Sequence, residues 1–144
     1  MSPSADAQQA IAITHIQVRS DRVACDVRID PRYAMTTTAL AKHAVAAHPD
    51  LPRHACVNSE GSSFGAVMDH TPLSHLLEHL VIDILTNTTS DPEAVFVGTS
   101  EWTDKQHGIA RVEVSYRDDL ETLSAFNEAV RFINGEVIRC HQHI

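Results

Sequence analysis

The chain has 144 residues, 43% of them hydrophobic, and carries a formal net charge of -8 at neutral pH. That length and apolar share fit one globular domain with a core of its own and exclude a chain too polar to collapse. The acidic balance argues against nucleic acid and anionic membranes as partners.

Residues 1–9 read as a flexible tail, and residues 10–144 as a single α+β domain. Ile11 to Val18 alternates apolar and polar residues, as a half-buried strand does. After a turn at Ser20-Asp21, Val23, Cys25, Val27 and Ile29 share one face of a second strand, so the two form a hairpin that Asp30-Pro31 ends. Thr36 to Ala47 predicts a short helix with Leu40, Ala41, Ala44 and Val45 as its apolar stripe, stopped by Pro49 and Pro52. Residues 54–70 read as a Ser- and Gly-containing loop crossed by an apolar piece at Phe64 to Met68.

Thr71-Pro72 is a helix start, with a capping hydroxyl and then proline at the first helical position. Leu73, Leu76, Leu77, Leu80, Val81, Ile84 and Leu85 follow at helical spacing. A polar linker, Thr86 to Pro92, leads to a second strand pair, Val95–Trp102 and Ile109–Arg117, joined through Asp104 and Gly108. Asp118 and Glu121 give a capping-box pattern that opens a last helix through Leu123, Phe126, Val130 and Ile133. Asn134-Gly135 should close it, leaving the final nine residues as a short strand or tail. The order ββα, loop, α, ββα predicts one antiparallel sheet with the helices packed on one face.

Three cysteines, Cys25, Cys56 and Cys140, with no CxxC pair do not form a disulfide framework and suit a reducing compartment. The N-terminal MSPSADAQQA has no apolar signal core, so a cytoplasmic location is expected. Ten histidines in a chain this short raise the expectation of metal binding. His75 and His79 sit four apart in the leucine-rich helix, one turn apart on one face, and can converge on one ion. Glu78 lies beside them, where a carboxylate can take a proton from water. The spacing HxxEH is the inverted form of the zinc-peptidase motif. An ordinary solvated helix face accounts for the same composition, but the apolar stripe is complete without these residues, and His54-Ala55-Cys56 upstream holds further potential ligands.

Leu51-Pro52-Arg53-His54-Ala55-Cys56, Gly61-Ser62-Ser63-Phe64, and Thr71 through His79 together resemble the N-terminal domain of cyanophycin synthetase. The similarity continues through Val95-Phe96-Val97-Gly98-Thr99 and the Arg111–Arg117 strand with its following helix, covering roughly residues 48–134. The full enzyme of that family joins Asp and Arg with ATP through two further domains. A chain of 144 residues without a GxxxxGK[ST] loop is not expected to hold them. The resemblance implies instead the N-terminal domain's own character: binding of the polymer and, in some members, a metallopeptidase-like site that trims it. Cys56, His75, Glu78 and His79 match that site. Ser100-Glu101 stands where the family carries an arginine after Gly-x-Thr, which counts against recognition of cyanophycin itself, and Ser62-Ser63 replaces a double glycine.

Cys56 is the preferred third metal ligand, since a thiolate is a good zinc donor and it stands at the matching position. His54 is expected to point away from it and to support the ligands or touch substrate, a role also open to Tyr116. Glu101, Glu113 and His70 rank below Cys56 as ligands. Trp102 and Tyr116 are expected to pack, His141 and His143 to lie in an exposed tail, and Asp118, Asp119 and Glu121 to serve the helix terminus.

Three functions follow from this reading. The first is a Zn2+-dependent hydrolase that cuts an amide bond in a peptide or peptide-like polymer such as cyanophycin, with Glu78 catalytic. The second is a non-catalytic binding module with a vestigial metal site. The third is a domain with purely structural zinc, which would need four protein ligands. An exposed sheet edge also makes a homodimer a candidate assembly.

Overall fold

Strands β1 (Ile11–Val18) and β2 (Arg22–Ile29) pair antiparallel where the alternation places them, in a computed structural model that describes residues 9–58 and 60–142. The pairing slips between Ile13 and His15, leaving Thr14 as the extra residue of a β-bulge. Its hydroxyl donates to the Asp26 carbonyl. The bulge keeps Ile16 and Val18 on the face of Cys25 and Val23, although the run from Ile13 to Ile16 breaks a strict period of two. Strand β6 (Ile109–Ser115) pairs with β2, and β5 (Gly98–Asp104) pairs with β6. The result is a four-stranded antiparallel sheet in the order β1-β2-β6-β5. A second sheet has only two strands, β3 (Ala55–Asn58) and β4 (Gly61–Ser63).

Val23, Cys25, Val27 and Ile29 of β2 and Ala110, Val112 and Val114 of β6 are buried on one face of the main sheet. Two helices lie on that face, α2 (Leu73–Thr88) and α3 (Asp119–Gln142), and α1 (Thr38–Ala47) packs against α3 and adds Leu40, Ala41 and Ala44 to the same core. The opposite face carries ion pairs, such as Arg111 with Asp26 and Arg19 with Glu113. This is the predicted α+β arrangement.

Several local expectations change. Residues 54–70 are not a plain loop: the β3–β4 hairpin and a 3-10 turn at Phe64–Ala66 occupy them. Helix α3 does not stop at Asn134-Gly135 but runs on to Gln142. Asn134 is committed elsewhere, its Oδ1 accepting from the Ala10 and Ile11 amides and its Nδ2 donating to the Ile11 carbonyl. Buried Ile133 and Val137 carry the apolar stripe across Gly135. That burial outweighs the roughly 1 kcal/mol a helical glycine costs. Helix α2 begins one residue later than its proline suggests, with Pro72 as the cap residue and no side-chain capping bond. The Thr71 hydroxyl turns to a histidine ring instead. The expected N-terminal tail lies outside the described residues except for residue 9, and so does His143, whereas His141 falls within α3 and not in a tail.

Candidate metal centre

Helix α2 is buried on more than its apolar stripe. Leu76, Leu77, Leu80 and Val81 are fully buried, yet Glu78, His79 and Asp83 are also less than 8% exposed. The polar face is therefore not a solvated one. His54, Cys56 and Phe64 lie against it, and the Phe64 ring, itself fully buried, stacks on His79 at 4.1 Å and meets His75 edge-on at 4.9 Å.

Cys56, His75 and His79 each bring one donor atom to within 4.8 Å of the other two. Tetrahedral zinc with bonds of about 2.0–2.3 Å needs donors roughly 3.3–3.8 Å apart, and the Cys56 Sγ to His75 Nε2 separation is 3.4 Å. The donor set of one thiolate and two imidazoles also suits zinc chemically. A metal ion fits these three residues after small side-chain adjustments. His75 holds its other nitrogen, Nδ1, 2.9 Å from the Thr71 hydroxyl. His79 holds its Nδ1 3.1 Å from His54 Nδ1.

His54 does not point away from Cys56. Residues two apart on an extended segment share a face, and both side chains turn to α2, His54 toward His79 and Cys56 toward His75. The His54 Nε2 lies 3.2 Å from Asp83 Oδ1, and His48 Nδ1 lies 2.8 Å from Asp83 Oδ2. Burial pushes the Asp83 carboxyl up, but the hydrogen bonds from His48 and His54 outweigh it and hold the group well below the usual carboxylate range. The sequence pattern singles out neither Asp83 nor His48, and Thr71 only as a helix cap. Asp83 had a signal: it is four residues after His79, on the same helical face.

Glu78 approaches from the other side of His79, with Oε2 3.9 Å from Nε2. Burial is the main influence on its carboxyl and pushes it up to about 7, against smaller opposing effects of a Ser100 hydrogen bond and of the nearby His54. Gly98 of β5 makes room for it, since a Cβ there would meet Glu78 Cγ at 3.0 Å and the Glu113 carbonyl at 2.8 Å. Burial alone pushes His75 down, and burial with the neighbouring His75 and His54 brings His79 to about 3. Both histidines thus favour the neutral ring near pH 7, the form that could bind a metal.

A cleft of about 500 Å³ opens over the group, with α2 and Cys56 on one wall and Thr99 to Trp102 of edge strand β5 on the other. A second cleft of about 510 Å³ lies behind His54 and is rimmed by the exposed Val95 and Val97. Glu78 and His79 line both.

The other candidates lie elsewhere. Glu113 accepts from Arg19 and Arg22 on the outer face of the sheet. His70 is exposed, between Asp69 and Glu60. Glu101 lines the first cleft but is not part of the donor group. Tyr116 donates its hydroxyl to the Arg19 carbonyl at 2.6 Å and lines neither cleft. Trp102 packs half-buried against the core at the cleft wall. Asp118 serves the start of α3, its carboxylate accepting from the Leu120 amide. No helix among the described residues is long and apolar enough to cross a membrane.

A family model, the cyanophycin synthase-like N-terminal domain, matches residues 26–137. The chain belongs to this family. The match runs from the second half of β2 to most of α3, with the whole candidate centre inside it. No curated protein matches the chain.

Proposed function

We propose that this cyanophycin synthase-like domain is a zinc-dependent hydrolase that cleaves an amide bond in a peptide or peptide-like polymer, cyanophycin being one candidate. The observation that carries the reading is a three-donor group, Cys56, His75 and His79, facing an open cleft with a buried carboxylate beside it. Three protein donors leave the fourth position of a tetrahedral ion to water or substrate, which separates a catalytic site from a structural one. Zinc there would supply Lewis acidity for a carbonyl and make water ionise near neutral pH.

The chain's own residues supply the rest. Glu78, whose carboxyl is pushed up by burial to about 7 in the metal-free chain, is the group placed to accept a proton from water and return it to a leaving amine. The Ser100 hydroxyl bonded to that carboxyl holds it in place. Phe64 and the helix keep one side of the group dry, so water and substrate enter from the cleft. Because Glu78 and His79 line both clefts, an extended chain can be gripped on either side of the bond to be cut, which suits a polymer better than a free dipeptide.

The test is a cleavage screen with a peptide library that includes Arg- and Asp-rich sequences and cyanophycin, run on the zinc-loaded native chain and on Glu78→Gln. The expected result is cleavage by the native protein, loss of at least about 100-fold in turnover for Glu78→Gln, and unchanged zinc content. Full zinc content with no cleavage of any substrate would place the chain with non-catalytic binding domains.

A further inference from the structure

We infer that Asp83 and His54 act as positioning residues: together they fix the proton on His79 Nδ1 and so aim its Nε2 lone pair at the metal position. This rests on the reading of Cys56, His75 and His79 as a metal site and goes beyond it by assigning what orders the site before any ion arrives. Asp83 is 2% exposed and accepts from three donors: His48 Nδ1 at 2.8 Å, Asn87 Nδ2 at 3.1 Å and His54 Nε2 at 3.2 Å. A carboxylate with three donors around it has no proton of its own to give, so His54 Nε2 must carry one. When the His54 ring carries that single proton, its Nδ1 presents a lone pair. That lone pair lies 3.1 Å from His79 Nδ1, which must therefore be the protonated nitrogen. With one proton on each ring, a single arrangement satisfies the whole chain of contacts, and it leaves His79 Nε2 unprotonated beside Glu78.

The parts are held rigidly. The His54 backbone is pinned at both ends, its amide donating to the Leu51 carbonyl and its carbonyl accepting from the Phe64 amide. His48 closes α1, and its ring meets Phe132 of α3 edge-on at 5.3 Å. The array thus ties the metal position to all three helices. The His75 side has no such device. Thr71 can donate or accept, so it orients the ring without choosing the tautomer.

Nitrogen-15 histidine spectra of metal-free protein read the tautomer of each ring directly, and competition against a chelator reads zinc affinity. The native protein should show His79 as the Nδ1–H form with no metal present. Asp83→Leu and His54→Phe should each lose that preference and bind zinc about 10–100-fold more weakly. His43→Gln, which breaks only the distant pair with Glu136, should leave affinity unchanged. If Asp83→Leu fails to fold, His54→Phe and the native spectrum still decide. His79 found as the Nε2–H form in native protein, or folded variants that keep native zinc affinity, would overturn the inference. Failure of the native protein to bind zinc would instead overturn the metal reading, and the tautomer remains measurable in either case.

Discussion

The two ends of the candidate centre are built differently. At the His79 end the candidate ligand comes from the middle of a helix, is 3% exposed, stacks on Phe64 and is tied through His54 to a buried carboxylate. At the Cys56 end the ligand comes from a two-stranded hairpin, and both it and His75 are only half-buried. The first is set by the fold and needs no metal to hold its shape. In the second, Cys56 sits on a two-stranded element with little core of its own, so a bound ion would be expected to order it further. A site with one fixed and one adaptable wall can bind a metal tightly and still admit substrate from the adaptable side.

Four substitutions probe that contrast. His79→Ala should abolish stoichiometric zinc binding, a loss of at least about 1,000-fold in a chelator competition, because two donors do not hold zinc against solvent. Phe64→Ala should cost about 3–5 kcal/mol in urea unfolding, the usual range for emptying a fully buried aromatic site, and should free His79 as it does so. If instead the loss is under about 1 kcal/mol, the His79 wall is not the rigid one.

Glu78→Gln should change stability in a pH-dependent way in metal-free protein. The folded carboxyl is raised to about 7 from an ordinary value of 4.5, chiefly by burial. Below pH 4.5 the group is neutral in both states and the substitution should be silent. As pH rises from 4.5 to 7 the unfolded chain ionises first, so the native protein loses stability that the glutamine variant keeps. At pH 8 the variant should be more stable by on the order of 3 kcal/mol, read from unfolding curves at pH 4 and pH 8. Thr71→Val should have the smallest effect. It removes one hydroxyl from His75 and should weaken zinc by about 3–10-fold, less than breaking the Asp83 array.

Much of this architecture was legible in the residue pattern. Val23, Cys25, Val27 and Ile29 alternate because their strand has one face on the core, and the α2 leucines repeat because that helix lies on the same core. Cys56, His75 and His79 were legible by residue type and spacing, and the fold brings them together. What escaped depends on contacts between distant segments. Asn134 looks like a helix terminator until β1 is there to take its amide group. Gly135 ends a helix in isolation but not one with Val137 buried ahead of it. The polar face of α2 looks solvated until Phe64 lies on it, and Asp83 looks like a surface charge until His48 and His54 arrive from a segment some 30 residues earlier. Local patterning encodes which face of an element is apolar. It does not encode what covers the other face.

Cobalt(II) titration of chelator-treated native protein tests the central claim most directly, because cobalt replaces zinc and is visible. The account predicts saturation at one equivalent, with tetrahedral d–d bands and a sulfur-to-cobalt charge-transfer band. Cys56→Ser should lose the charge-transfer band but keep d–d absorption, and His79→Ala should lose both. A native protein that takes up no stoichiometric cobalt, or a charge-transfer band that survives Cys56→Ser, would contradict it.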